Sequence, residues 1–287
     1  MLSLINKRFI KAARNNQLDE LKNLLTQGAD IHADHDEALR ESATLGYLEI
    51  VKFLVTQGAD IYANNDETLR WAAKHEHLEV VKFLITQGAN IHAEDDYALR
   101  YSAINGHLET VKFLVTQGAN IHADNDEALR ESAFGGHLET VKFLVLPDLG
   151  SLAIAHGANI HANDDGALRL SALFGHLEIV KFLIAQGADI HANDDEIFKT
   201  ATKNENEPML MLLNAFLIEE KLLVAASDSM LVLPASDSML LVAAVGSTGA
   251  SSCLRGTSAS AWVSGTEVSV MSQAERPSIT KAKRSKI

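Results

Sequence analysis

The chain has 287 residues, of which 47% are hydrophobic and 22% charged, a balance that excludes the disordered-polyelectrolyte and membrane classes. Twenty-five basic side chains against 38 acidic ones leave a net charge of -13, which excludes nonspecific binding to nucleic-acid phosphates. One cysteine, Cys253, excludes a disulfide framework or a thiolate metal cluster. No signal-peptide stretch follows Met1, and the most apolar segment, Leu222 to Val245, is interrupted by Asp228, Pro234 and Asp237. A cytoplasmic protein that does not enter membranes is expected.

Gly-Ala-Asp or Gly-Ala-Asn recurs at Gly28, Gly58, Gly88, Gly118, Gly157 and Gly187, every interval being 30 residues except one of 39. A period in this range marks a solenoid, whose units bury their apolar sides only by stacking. In chain order the units are 4–33, 34–63, 64–93, 94–123, 124–162, 163–192 and a degenerate cap, 193–217. Each predicts two short helices. The first begins at an Asp column (Asp36, Asp66, Asp96, Asp126, Asp165, Asp195), read as N-caps. It carries Leu39, Leu69, Leu99, Leu129 and Leu168 four residues before Ala43, Ala73, Ala103, Ala133 and Ala172, an apolar helical face. Gly46, Gly106, Gly136 and Gly175 then reverse the chain. The second helix runs from Leu48 to Gln57 and its counterparts, with Val51, Leu54 and Val55 apolar.

Segments such as Gly106-His107-Leu108-Glu109 and Gly187-Ala188-Asp189-Ile190 resemble the ankyrin repeat over residues 4–217. The resemblance implies an all-α solenoid of stacked helix-turn-helix units and a binding role without catalysis. Two departures stand out. The unit is shorter than the common length of about 33 residues, the loss falling in the β-turn finger, and Glu-Ala-Leu-Arg replaces Thr-Pro-Leu-His. This shortened pattern resembles the ankyrin proteins of giant amoebal DNA viruses of the mimivirus type, which implies a host protein as partner.

The 39-residue unit holds nine extra residues, Leu146 to Ile154, expected to loop out while the array continues. In the terminal cap, helix is expected to resume at Met209–Leu217. Residues 218–287 form a low-complexity tail, expected to be disordered, with a nine-residue duplication (Ala226–Pro234, Ala235–Ala243). The tail carries +1 and the preceding 217 residues, with 18 basic and 32 acidic side chains, carry -14.

Twelve histidines invite a metal or catalytic reading. His32, His92, His122, His161 and His191 share one turn column, and successive units hold equivalent atoms about 10 Å apart, too far to share a zinc. His77, His107, His137 and His176 occupy a Gly-His column, whose ring, by the resemblance, bonds backbone between helices. No metal site and no cofactor are expected, and His75-Glu76-His77-Leu78-Glu79 lacks the second histidine of H-E-x-x-H. The Arg column (Arg40, Arg70, Arg100, Arg130, Arg169) is expected to pair with acidic neighbours. Recognition is expected where units differ. In ankyrin proteins the columns holding Trp71, Tyr101, Ile104, Phe134, Leu173 and Phe174 lie on or near the concave groove of first helices, so these six are the candidate partner contacts. The expected function is a monomeric protein-protein interaction scaffold. Rival readings are a substrate adaptor for a ubiquitin ligase, a metal-dependent hydrolase, and a product of repeat expansion without selected function. No F-box is recognisable in 218–287.

Overall fold

A computed structural model describes residues 3–146 and 157–230, with 255–256, 259–260, 262–264 and 267–269. Each repeat supplies a helix pair. The pairs are α1 (Leu4–Arg14) with α2 (Leu18–Thr26), α3 (Ala33–Thr44) with α4 (Leu48–Thr56), α5 (Ala63–Lys74) with α6 (Leu78–Thr86), and α7 (Ala93–Ile104) with α8 (Leu108–Thr116). Then come α9 (Ala123–Phe134) with α10 (Leu138–Val145), α11 (Ala162–Leu173) with α12 (Leu177–Ala185), and α13 (Ala192–Lys203) with α14 (Glu207–Met230). The first helices pack successively into one layer, α1 through α13, and from α4 to α12 the second helices pack into another.

The core lies between the layers and repeats with the unit. Leu39, Leu69, Leu99, Leu129 and Leu168 are buried from the first helices, and Leu54, Leu84, Leu114, Leu144 and Leu183 from the second. Each contributes roughly 1.5–3 kcal/mol by leaving water. Ala43, Ala73, Ala103, Ala133 and Ala172 are buried as well, and their small side chains let neighbouring first helices approach. Gly106 reverses the chain at φ +74°, where a Cβ would stand 2.3 Å from His137 Nδ1.

The Asp column departs from the N-cap expectation. From α3 onward, three residues in each first helix have left-handed backbone: Asp34, His35 and Asp36 at φ 54°, 54° and 60°, and their equivalents up to Asn193, Asp194 and Asp195. This is a single left-handed turn ahead of the right-handed helix. It costs most residues about 1–2 kcal/mol each, and Asn and Asp much less, which accounts for the composition of these positions. Facing inward at 4–6% exposure, Asp36, Asp66, Asp96, Asp126 and Asp165 are acceptors for the closing turn of their own repeat rather than caps of their own helix. Their Oδ1 atoms accept from the backbone N–H of Asp60 (2.8 Å), Asn90 (2.7 Å), Asn120 (2.8 Å), Asn159 (2.8 Å) and Asp189 (2.9 Å). The turn-column histidines add Nδ1–H donors to the carboxylate four residues on, as in His92 to Asp96 at 3.0 Å. Tyr62 takes that position beside Asp66, and burial, opposed by the Asn90 N–H, raises the Asp66 pKa.

Two further columns tie the stack. His77, His107, His137 and His176 donate through Nε2 to the carbonyls of Thr44, Lys74, Ile104 and Phe134 in the preceding repeat, at 2.9, 3.0, 2.9 and 2.9 Å. The arginines donate first to carbonyls of their own left-handed turn. Arg100 Nε reaches Asp95 O at 2.8 Å and Nη2 reaches Glu94 O at 3.0 Å. Acidic pairing is the second half of their role: Arg40 meets Glu67 at 3.2 Å, Arg100 meets Glu127, and Arg169 meets Glu196, each one repeat on.

Across the insertion the carboxylate and histidine ties are kept. Ala158 N–H donates to Leu144 O at 2.8 Å, where other units make the same bond five residues apart, as Ala59 to Leu54. The Asp126–Asn159 and His176–Phe134 bonds close as elsewhere. Gly157 makes this splice possible, since a Cβ there would stand 2.0 Å from Val145 O. Residues 147–156, which include all of the insertion but Leu146, lie outside the described residues.

At the C-terminal end the helix starts at Glu207, with Pro208 in its first turn, and buries Met209 and Leu213. It runs to Met230, through the boundary that the change of composition placed at 217. The chain divides into two compact units, 1–225 and 226–287. In the second, β1 (Arg255–Gly256) pairs antiparallel with β2 (Ala259–Ser260), and β3 (Trp262–Ser264) with β4 (Glu267–Ser269). The rest of the tail, including Cys253, most of the duplication and the basic C-terminal run, lies outside the described residues. No helix among the described residues is long and apolar enough to cross a membrane.

Candidate protein-binding face

The six residues singled out from the sequence all come from the C-terminal halves of first helices, and the structure gathers them into two groups. Trp71 and Tyr101, half-buried on α5 and α7, belong to the first. Trp71 Nε1 donates to Glu67 Oε1 at 2.9 Å, one turn back on the same helix, and its ring stacks on His75 at 5.5 Å. Lys74 Nζ sits 4.6 Å from the Trp71 ring centre and 5.1 Å from that of Tyr101, so one ammonium bridges the faces of both rings.

Tyr97, absent from the sequence-derived set, completes this group. It stacks on Tyr101 with ring centres 3.8 Å apart and planes at 12°, and Arg70 lies 5.1 Å from its centre. Tyr97 holds the position that Glu67 and Glu127 hold opposite Arg40 and Arg100, so here the arginine faces a ring in place of a carboxylate. Burial, with the hydrogen bond and charge of Tyr101, pushes the Tyr97 phenol up to about 12. It stays a neutral donor at any physiological pH. Burial works against ionised Glu67, but the bonds from Trp71 and Asn64 and the charges of Arg40 and Arg70 hold its pKa below the usual carboxylate value.

Phe134, Leu173 and Phe174 form the second group, on α9 and at the end of α11. The two phenylalanine rings meet edge to face at 4.6 Å and 74°. Phe134 is 37% exposed, Leu173 42% and Phe174 51%, so the pair is an open apolar shelf. Ile104, half-buried on α7, lies one repeat before Phe134 in the same column, and its carbonyl accepts from His137. No ring contact joins the two groups among the described residues.

The histidines of the turn column and of the Gly-His column sit in the ties already described, with a carboxylate or a carbonyl. Among the described residues no group of three or more His, Cys, Asp or Glu is disposed to hold a metal ion. The arrangement offers ring faces, an ammonium and apolar edges, the chemistry of contact with another polypeptide.

No curated protein matches the chain. A family model described as ankyrin repeats (3 copies) matches residues 9–95, 69–151 and 99–194, overlapping segments that run through six of the helix pairs. With its stacked helix pairs and its period, the chain belongs to the ankyrin repeat family.

Proposed function

We propose that this chain is a non-catalytic scaffold that binds a partner protein through the exposed face of its first helices, with Trp71, Tyr101, Ile104, Phe134, Leu173 and Phe174 as contacts. Ankyrin repeats generally mediate protein binding, and the observation that carries the reading here is the Phe134, Leu173 and Phe174 shelf. The bonds that tie repeat to repeat come from Asp, His and Arg side chains, so 37–51% exposure of three large apolar residues serves no tie in the stack. Exposed aromatic anchors of this kind dominate binding energy at many interfaces. The shortened repeat supports the finer reading of a giant-virus protein that acts as a monomer in the cytoplasm of its host on a host protein.

The test is capture from an amoebal lysate by the full chain, beside a variant carrying Ile104→Ser, Phe134→Ser, Leu173→Ser and Phe174→Ser, once circular dichroism shows equal helix content. A protein retained by the first and lost by the second supports the reading. Equal retention by both moves recognition off this face.

A further inference from the structure

We infer that the α9–α11 junction is an anchor site for an acidic peptide segment, in which a partner carboxylate pairs with Arg130 while a neighbouring apolar side chain rests on Phe134, Leu173 and Phe174. The inference rests on the proposed protein-binding role and assigns the partner's chemistry. It starts from the arginine ladder. Arg100 and Arg169 use Nη1 to hold a carboxylate of the following repeat, Glu127 and Glu196, while Nε and Nη2 donate to their own turn. Arg130 makes the same two turn bonds, Nε to Asn125 O at 3.2 Å and Nη2 to Asp124 O at 2.9 Å. The position that supplies the carboxylate elsewhere is Gly166, and Arg130 has neither an ion pair nor a ring opposite it among the described residues.

The missing glutamate leaves a charge without its carboxylate. Arg130 lies across Gly166, with its Cδ 3.0 Å from where a Cβ would stand, so its Nη1 edge keeps unused donors where other repeats place a carboxylate. The exposed apolar shelf is at this same junction. Phe134 stands four residues after Arg130 on α9, and Leu170, Leu173 and Phe174 stand four, seven and eight residues after Gly166 on α11, all on the faces that carry the gap. The Arg130 side chain reaches back to the Asp124 and Asn125 carbonyls and lies over Gly166, so the rise along α11 from there to Leu173 and Phe174 is about 10–12 Å. In an extended peptide, side chains four residues apart share a side about 13 Å apart, so Asp or Glu four positions from a Leu, Ile or Phe spans the two features.

A random twelve-residue peptide library displayed on phage, selected on the full chain, tests the assignment. The expected result is enrichment of peptides with an acidic residue four positions from a large apolar one. Gly166→Glu supplies the absent ladder carboxylate, and a helical Glu is better than Gly, so this variant stays folded and binds a recovered peptide about tenfold more weakly or worse. Arg130→Gln weakens it in the same way, and added salt weakens it in the wild type. Selected peptides without acidic enrichment, binding untouched by Gly166→Glu, or no selected peptides at all would each overturn the inference. Basic or neutral peptides that are lost with Phe134→Ser would leave the first-helix face as a binding surface while removing Arg130 from it.

Discussion

Replacing Asp96 by Ala tests whether the buried carboxylates hold the start of each first helix to the closing turn of its repeat, from which the next repeat begins. Asp96 is 4% exposed, and its Oδ1 accepts from Asn120 N–H at 2.8 Å and from His92 Nδ1 at 3.0 Å. Two costs follow from its removal. A hydrogen bond to a charged group is worth about 1.5–3 kcal/mol, and an Ala at the Asp96 backbone angle, φ 56°, adds about 1 kcal/mol because only Asn and Asp tolerate that region cheaply. The sum is a loss of about 2–4 kcal/mol. Asp96→Asn keeps an oxygen acceptor and the left-handed preference, so it costs about 1 kcal/mol or less. Urea unfolding followed by far-ultraviolet circular dichroism measures both, with hydrogen exchange to locate the opened junction. An Ala variant within about 0.5 kcal/mol of wild type would refute the tie, and an Asn variant as damaged as Ala would assign the effect to charge rather than to the acceptor.

Thr110 is buried with no partner for its hydroxyl, at a position where Ile50, Val80 and Ile179 stand in other repeats. Thr110→Val is expected to stabilise by about 1–2 kcal/mol in the same urea assay, and a loss of stability would show that the hydroxyl is satisfied in solution. Tyr62→His gives Asp66 the imidazole its equivalents have and should add about 0.5–1.5 kcal/mol. The raised pKa of Asp66 means that the folded chain holds that proton more tightly than the unfolded one. Stability therefore falls as pH rises through the carboxylate range, and Tyr62→His should flatten that fall. His191 is raised above 6.5, first by its bond to Asp195, with burial opposing and Glu220 adding to the rise. Its stabilising contribution is full below the unfolded value and is lost as pH climbs through the folded one. An NMR titration should find its midpoint lowered by Glu220→Gln, and an unchanged midpoint would remove Glu220 from the pair.

The apolar framework was legible because helix periodicity is written in types and spacings: Leu99 and Ala103 four residues apart name a face, and Gly106 names the reversal. The Gly-His column was legible through the family resemblance. The Asp column misled because an Asp before an apolar helix looks like an N-cap, whereas its function depends on three consecutive left-handed residues that no one-dimensional pattern signals. At the end of the array α14 continues past residue 217, because Leu, Ala and Glu sustain helix. On the candidate face, attention went to columns that vary in every repeat. Tyr97 and Gly166 sit in a column that is otherwise mostly Glu, and the two exceptions were the readable signal for what happens to Arg70 and Arg130.

The repeated carboxylate ties bear on how the chain finds its register. Asp36, Asp66, Asp96, Asp126 and Asp165 offer the same acceptor to the same kind of backbone donor. A refolding chain can therefore close a tie with the turn of the following unit instead of its own, looping out a repeat, and the entropic penalty grows only logarithmically with the loop. Two chains at high concentration can likewise exchange repeats through the same bonds. Against such slipped pairings the array has its irregularities, among them a tyrosine where histidine is the rule at Tyr62, a ring opposite Arg70, and a glycine opposite Arg130. Each makes one junction unlike the others, so that these three exceptions label an otherwise degenerate ruler.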